Sequence, residues 1–134
     1  MTESRVEIVQ KFSTAVREGD FEAMGRLLHD DFVAHEADGL PYSGDYRGLS
    51  GFRDLLAKMN DAMTVSPGPF TSEPLGENAV ALRFSLTFTA RASGHSVTMD
   101  LIEVYTLRDG KIVDLDVYYK DPAAVTALLD QRPI

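Results

Sequence analysis

The stretch VTMDLIEVYTL, Val97 to Leu107, decides how this chain folds. Its period of two reads as a β-strand, with Val97, Met99, Leu101, Glu103, Tyr105 and Leu107 on one face. That face is apolar except for Glu103. A carboxylate there has bland explanations: a slip or bulge carrying it to solvent at a sheet edge, or an ion pair with a cation such as Arg53. The functional explanation is a carboxyl group kept neutral by desolvation, able to donate a hydrogen bond to a ligand oxygen.

Working outward, Ala79 to Arg91 alternates cleanly, with Val80, Leu82, Phe84, Leu86, Phe88 and Ala90 on one parity. Ser93-Gly94 turns this strand into the first, and Arg108-Asp109-Gly110-Lys111 is a hairpin turn. The last strand runs Ile112 to Lys120, with Leu115, Val117 and Tyr119 opposite Asp114, Asp116 and Tyr118. Upstream, Pro67, Pro69 and Pro74 make any strand over Val65–Leu75 broken or edge-bound.

The N-terminal half is helical. Val9, Phe12 and Val16 form a stripe from about Ser4 to Glu18, and Gly19 suits the stop. Asp20 caps a second helix carrying Phe21, Met24, Leu27 and Leu28, which Asp30-Asp31 ends. Phe32 to Ala37 is a short strand, and DGLPYSGDYRG, Asp38 to Gly48, a turn-rich loop. Ser50 is placed to cap a third helix with Phe52, Leu55, Leu56, Met59 and Met63 at helical spacing. Asp121-Pro122 opens a last short helix through Leu129. Helices first and an antiparallel meander second make one α+β domain over residues 1–134, with helices covering one sheet face.

Composition excludes more than it names. The chain has 134 residues, 44% hydrophobic and 25% charged, as in an ordinary globular domain. A net charge of −8 with no basic run argues against nucleic acid. Apolar runs are too short to span a bilayer, and the first residues are polar rather than leader-like. A cytoplasmic location is therefore the expectation. The absence of cysteine removes disulfides, thiolate ligands and a thiol nucleophile.

The second candidate region is FVAHEA, Phe32 to Ala37. Phe32, Ala34 and Glu36 share a parity, which favours Glu36 inward and His35 outward, while Val33 and Ala37 on the other parity leave open which of the two faces the pocket. The chain's histidines, His29, His35 and His95, are dispersed and lack the tight spacing of a metal site. There is no GxSxG, GxxxxGK[ST] or GxGxxG. Asp100, Asp114 and Asp116 fall on the face away from the helices, as solvated sheet charge.

The pieces VQKFSTAVREGDFEAMGRLLHDDF (Val9–Phe32), YRGLSGFRDLL (Tyr46–Leu56) and EVYTLRDGKIVDLDVYYKD (Glu103–Asp121) resemble the nuclear transport factor 2-like superfamily, in its ketosteroid isomerase and SnoaL-like polyketide cyclase branch. The resemblance implies a cone-shaped roll, a curved antiparallel sheet packed against three N-terminal helices with a short C-terminal helix. It also implies a carboxylate base at Glu36 and a protonated oxyanion donor at Glu103, a use of carboxyl tuning known in such sites. The isomerases' first-helix tyrosine is Phe12 here, so Tyr42, Tyr105 or Tyr119 is left to supply a hydroxyl. Limonene-epoxide hydrolases resemble it less: Phe84, Leu86 and Val117 stand where they carry Arg, Asp and Asp. SnoaL-like cyclases also carry aspartate where Val117 stands.

These readings converge on an enzyme for a small lipophilic carbonyl compound, working through an enolate in isomerisation, aldol cyclisation or dehydration. The alternative is a non-catalytic binding protein of the same fold: a base must approach a ligand carbon, whereas a binder needs only shape. A purely structural dimerisation module is a third reading, its pocket filled and Glu103 salt-bridged. The expected lining is Phe12, Tyr42, Phe84, Leu86, Phe88, Leu101, Tyr105, Leu115, Val117 and Tyr119. No metal or organic cofactor is expected. The expected partners are an apolar carbonyl-bearing ligand and a second copy, met through Ile102 and Val104 on the outer face, with neither nucleic acid nor membrane.

Overall fold

The computed structural model describes residues 4–131, so both ends of the expected 1–134 domain lie outside it. Helix α1, Arg5–Glu18, opens on a capping box: Ser4 Oγ accepts from the Glu7 amide, and Glu7 accepts from the Ser4 amide. Gly19, at φ 68°, closes it in the left-handed conformation that favours glycine. Asp20 caps α2, Phe21–Leu27. Strand β1, Leu28–Glu36, follows without a linker, so Leu28 ends up in the sheet rather than in the helix its spacing predicted. There it pairs with Ile112 and buries its side chain, beyond the reach of a short helix.

The loop after β1 contains an unexpected strand, β2, Gly44–Arg47, antiparallel to β1. Helix α3, Gly48–Ala62, starts two residues before the predicted Ser50 cap and has no side-chain cap. The reason is that β2 pairing extends to Arg47, and the reversal falls on Gly48 at φ 67°. Strands β3, Met63–Leu75, β4, Ala79–Ala90, β5, Ser96–Arg108, and β6, Lys111–Tyr119, then form the meander. Helix α4, Pro122–Leu129, has Asp121 as its cap.

The six strands lie in the order β2-β1-β6-β5-β4-β3. Four neighbouring pairs are antiparallel, but β1 and β6 run parallel, so the sheet is mixed where a wholly antiparallel one was expected. Proline-bearing β3 is an edge strand with a register shift between Pro67 and Phe70, as those prolines require.

Helices α1 and α3 cover one face through an aromatic cluster. Phe12 of α1 lies 5.5 Å from Phe52 of α3, 5.9 Å from Tyr105 of β5 and 6.4 Å from Phe32 of β1, between ring centroids. Tilted and edge-on rings at these separations add to simple burial. None of the described helices is long and apolar enough to cross a membrane.

Candidate functional site

Insertion of β6 between β1 and β5 is what assembles the site. His35 pairs with Asp116, which puts Glu36 level with Val117, and Val117 pairs with Glu103. Glu36 and Glu103 therefore flank Val117 on one face, two strand spacings or about 10 Å apart along the sheet. The helices stand off this face and leave a cavity of about 970 Å³. That is room for a ligand of several fused rings.

Of the residues expected to line the cavity, Phe12, Phe84, Leu86, Leu101, Tyr105, Leu115, Val117 and Tyr119 do so, together with Glu36 and Glu103. Two others do not reach it. Phe88 is fully buried behind Tyr119, stacked on it at 5.9 Å and 19°. Tyr42 sits behind Tyr119 too, joined to it through hydroxyls 2.9 Å apart. Both support the wall rather than form it.

Glu36 is the only buried polar or charged side chain among the described residues, at 9% exposure. Tyr119 Oη donates to its Oε2 at 3.0 Å. Burial pushes the Glu36 carboxyl up to about 8; the Tyr119 hydrogen bond works against this and the charge of Glu103 adds to it. Glu103 is partly accessible, lines the cavity and accepts from Tyr105 Oη at 2.7 Å. Burial pushes it up to about 7, against the Tyr105 hydrogen bond and the charge of Arg17. Burial also raises the three tyrosines, with the neighbouring carboxyls adding to it, so they remain donors.

The hydroxyls that Phe12 does not supply are thus present, but each is held by a carboxyl group or another tyrosine. Arg53 does not pair with Glu103, as one bland reading had it; its guanidinium lies 4.5 Å from the Phe21 ring centroid. His35 faces outward as its parity predicted, with Nδ1 2.7 Å from Asp45 and Nε2 2.7 Å from Asp114. Burial opposes its charge, but these carboxylates outweigh that and raise its pKa. His35 therefore ties β2, β1 and β6 together on the face away from the cavity.

Sequence reasoning passed over Arg17, Asn60 and the β3 residues Val65 and Pro67, all of which border the cavity. Arg17 follows Val16 at the end of the α1 stripe, and nothing in the spacing separates it from a solvated charge. The prolines of β3 hid a wall behind an apparent loop.

A mixed sheet rolled around an apolar cavity, with helices across one face, defines the nuclear transport factor 2-like fold. A model of the SnoaL-like domain matches residues 9–115, and the chain belongs to that family. Among solved structures, a nuclear transport factor 2-like protein from Burkholderia xenovorans superposes with a TM-score of 0.86 at 21% identity, over 97% of this chain and 98% of the other. A candidate SnoaL-like polyketide cyclase from Mesorhizobium loti is 26% identical, with a TM-score of 0.65 over 87% of this chain and 100% of its own. TerC, co-crystallised with polyporic acid, gives a TM-score of 0.78 at 22% identity over 94% and 98%. No curated protein matches the sequence.

Proposed function

We propose that this protein binds a small, largely apolar carbonyl compound and moves a proton at the carbon beside the carbonyl, with Glu36 and Glu103 as the acid/base pair. The observation that carries this reading is the pair itself: carboxyl groups on one cavity face with values near 8 and 7, where ordinary glutamates are fully ionised. Such values let one group stay protonated while the other accepts, the condition for proton transfer near neutral pH. Polyketide cyclase candidates of the same fold and the TerC–polyporic acid complex are in keeping with a ring-shaped ligand. Two copies meeting at the outer sheet face complete the reading.

The resemblance assigns the base to Glu36 and the oxyanion donor to Glu103. A second reading exchanges the roles, because the neighbouring charges act in opposite directions: Glu103 disfavours an ionised Glu36, whereas Arg17 favours an ionised Glu103. Glu103, with Tyr105 and Arg17 stabilising its ionised form, would then take the proton while Glu36 donates.

Deuterium exchange into β-tetralone, followed by proton NMR, tests both assignments without knowledge of the natural substrate. Glutamine keeps a donor and abolishes a base. If Glu36 is the base, Glu36→Gln should slow exchange by roughly 10²–10⁴-fold while Glu103→Gln costs less; the exchanged roles give the reverse. Exchange no faster than buffer, or untouched by either substitution, would refute the acid/base reading.

A further inference from the structure

The cavity is apolar within but has cations at its rim. Arg17, in the last turn of α1, and Arg53, in α3, both border it. Each guanidinium is laid against an aromatic ring: Arg17 Cζ is 4.9 Å from the Phe70 centroid, and Arg53 Cζ 4.5 Å from that of Phe21. A cation over a ring face is held by the ring's electrostatic attraction and keeps N–H donors for another partner. Arg17 gives one donor to the carbonyl of Gly68 at 3.3 Å. Among the described residues, Arg53 has no hydrogen-bond acceptor and neither arginine has an ion-pair partner.

Away from the cavity, Arg26, Arg83 and Arg108 each pair with a carboxylate, while Arg5, Arg47 and Arg91 form no ion pair among the described residues; what sets Arg17 and Arg53 apart is their place beside the cavity. Glu18 and Asp54 also border the cavity, yet neither forms an ion pair with Arg17 or Arg53. Two guanidinium groups held over aromatic rings and free of ion pairs, beside an apolar volume, match a ligand with an apolar body and a negative end.

We propose that the cavity takes an organic anion, an apolar ring system bearing a carboxylate that Arg17 and Arg53 hold at the rim. This deepens the acid/base reading, on which it rests for the events at the inner end of the ligand. An anion at the rim is compatible with the inner carboxyls because burial raises both, so near neutrality the ligand does not meet two full negative charges.

The test is calorimetric titration of the full chain with β-naphthoate and with its methyl ester, which share a body and differ in charge. The naphthoate should bind about tenfold more tightly or better, as a charge-assisted hydrogen bond allows. That preference should shrink in Arg17→Gln and in Arg53→Gln, vanish in the double variant, and weaken as salt rises. Circular dichroism confirms that the variants are folded. Failure of the naphthoate to bind, equal binding of the ester, or a preference that survives in the folded double variant would overturn the proposal. The ratio is measured without turnover. Absent tetralone exchange would therefore sink the acid/base reading and leave the ratio standing, and a ratio of one would do the opposite.

Discussion

Glu103 owes its character to a conflict between where its strand puts it and what a carboxylate needs. Alternation along β5 turns it inward between Leu101 and Tyr105, and its hydrogen bond within the protein comes from the Tyr105 hydroxyl. The folded group sits at about 7 against an ordinary 4.5, so the native state holds more protons than the unfolded chain between those values. Its contribution to stability is therefore present at low pH and lost as pH rises from about 4.5 through about 7. Leucine does not titrate. Glu103→Leu strands the Tyr105 hydroxyl at any pH, for about 1–3 kcal/mol, but removes a pH-dependent penalty on the order of 3 kcal/mol. The expected result is a variant clearly less stable than the parent at pH 5 and close to it, or more stable, at pH 8. Were Glu103 instead half of a structural ion pair with Arg17, the loss would grow with pH, since that pair is complete only when Glu103 is ionised. Urea denaturation at the two pH values separates the signs, and a larger penalty at pH 8 would make the residue structural.

Elements whose signals are local were legible, and those defined by a distant partner were not. Ser4, Asp20 and Asp121 each cap a helix with their own side chain, and β4 and β5 carry their alternation over 12 and 13 residues. The inward turn of Glu36 and Glu103 could be read from the same alternation. By contrast β2 is four residues long, opens on the turn formers Gly44 and Asp45 and follows a turn-rich loop, so its pairing with β1 is what makes it a strand. The parallel contact of β6 with β1, which brings the carboxyl groups together, joins segments about 80 residues apart and leaves no local trace. Arg17 escaped notice for a related reason, and Arg53 stood out only as a candidate partner for Glu103: a cation beside a cavity looks like any other until the cavity is closed. The β2–α3 junction offers a test of such non-local constraint. A Cβ on Gly51 would lie 2.9 Å from the Tyr46 carbonyl carbon, closer than packed atoms allow. Helix propensity alone favours alanine by about 1 kcal/mol. Forcing α3 away from β2 should cost roughly 1–3 kcal/mol, and Tyr46, which donates to the Tyr42 carbonyl, would carry the disturbance towards Tyr119. Gly51→Ala is thus expected to lower the denaturation midpoint; an unchanged or raised midpoint would show that this junction yields freely.

At the scale of the whole molecule the sheet has two unequal faces. The inner one carries the cavity, and the outer one is mostly charged and hydroxylated, with Thr87–Thr98 and Thr89–Ser96 hydroxyl pairs and the His35 cluster. Amid these groups Ile102 is 41% exposed and Tyr118, its cross-strand partner, 55% exposed, with Val104 beside them. Single apolar residues on a surface need no explanation, but three adjoining ones at the centre of a sheet form a patch that water covers poorly. Arg83 and Asp100, 3.7 Å apart, and Asp116 border that patch with charges of both signs, the arrangement a self-complementary face requires if a two-fold axis passes through it. The expected state is a homodimer joined at Ile102, Val104 and Tyr118, its cavities opening away from the contact because they lie across the sheet. Ile102→Lys would place like charges near the axis and should give a folded monomer. Light scattering on the parent at tens of micromolar should return twice the mass of one chain, and the variant once that mass with an unchanged circular dichroism spectrum. A parent that stays at one chain mass, or a variant that still dimerises, would leave the patch as uncovered surface and move any contact elsewhere on the molecule.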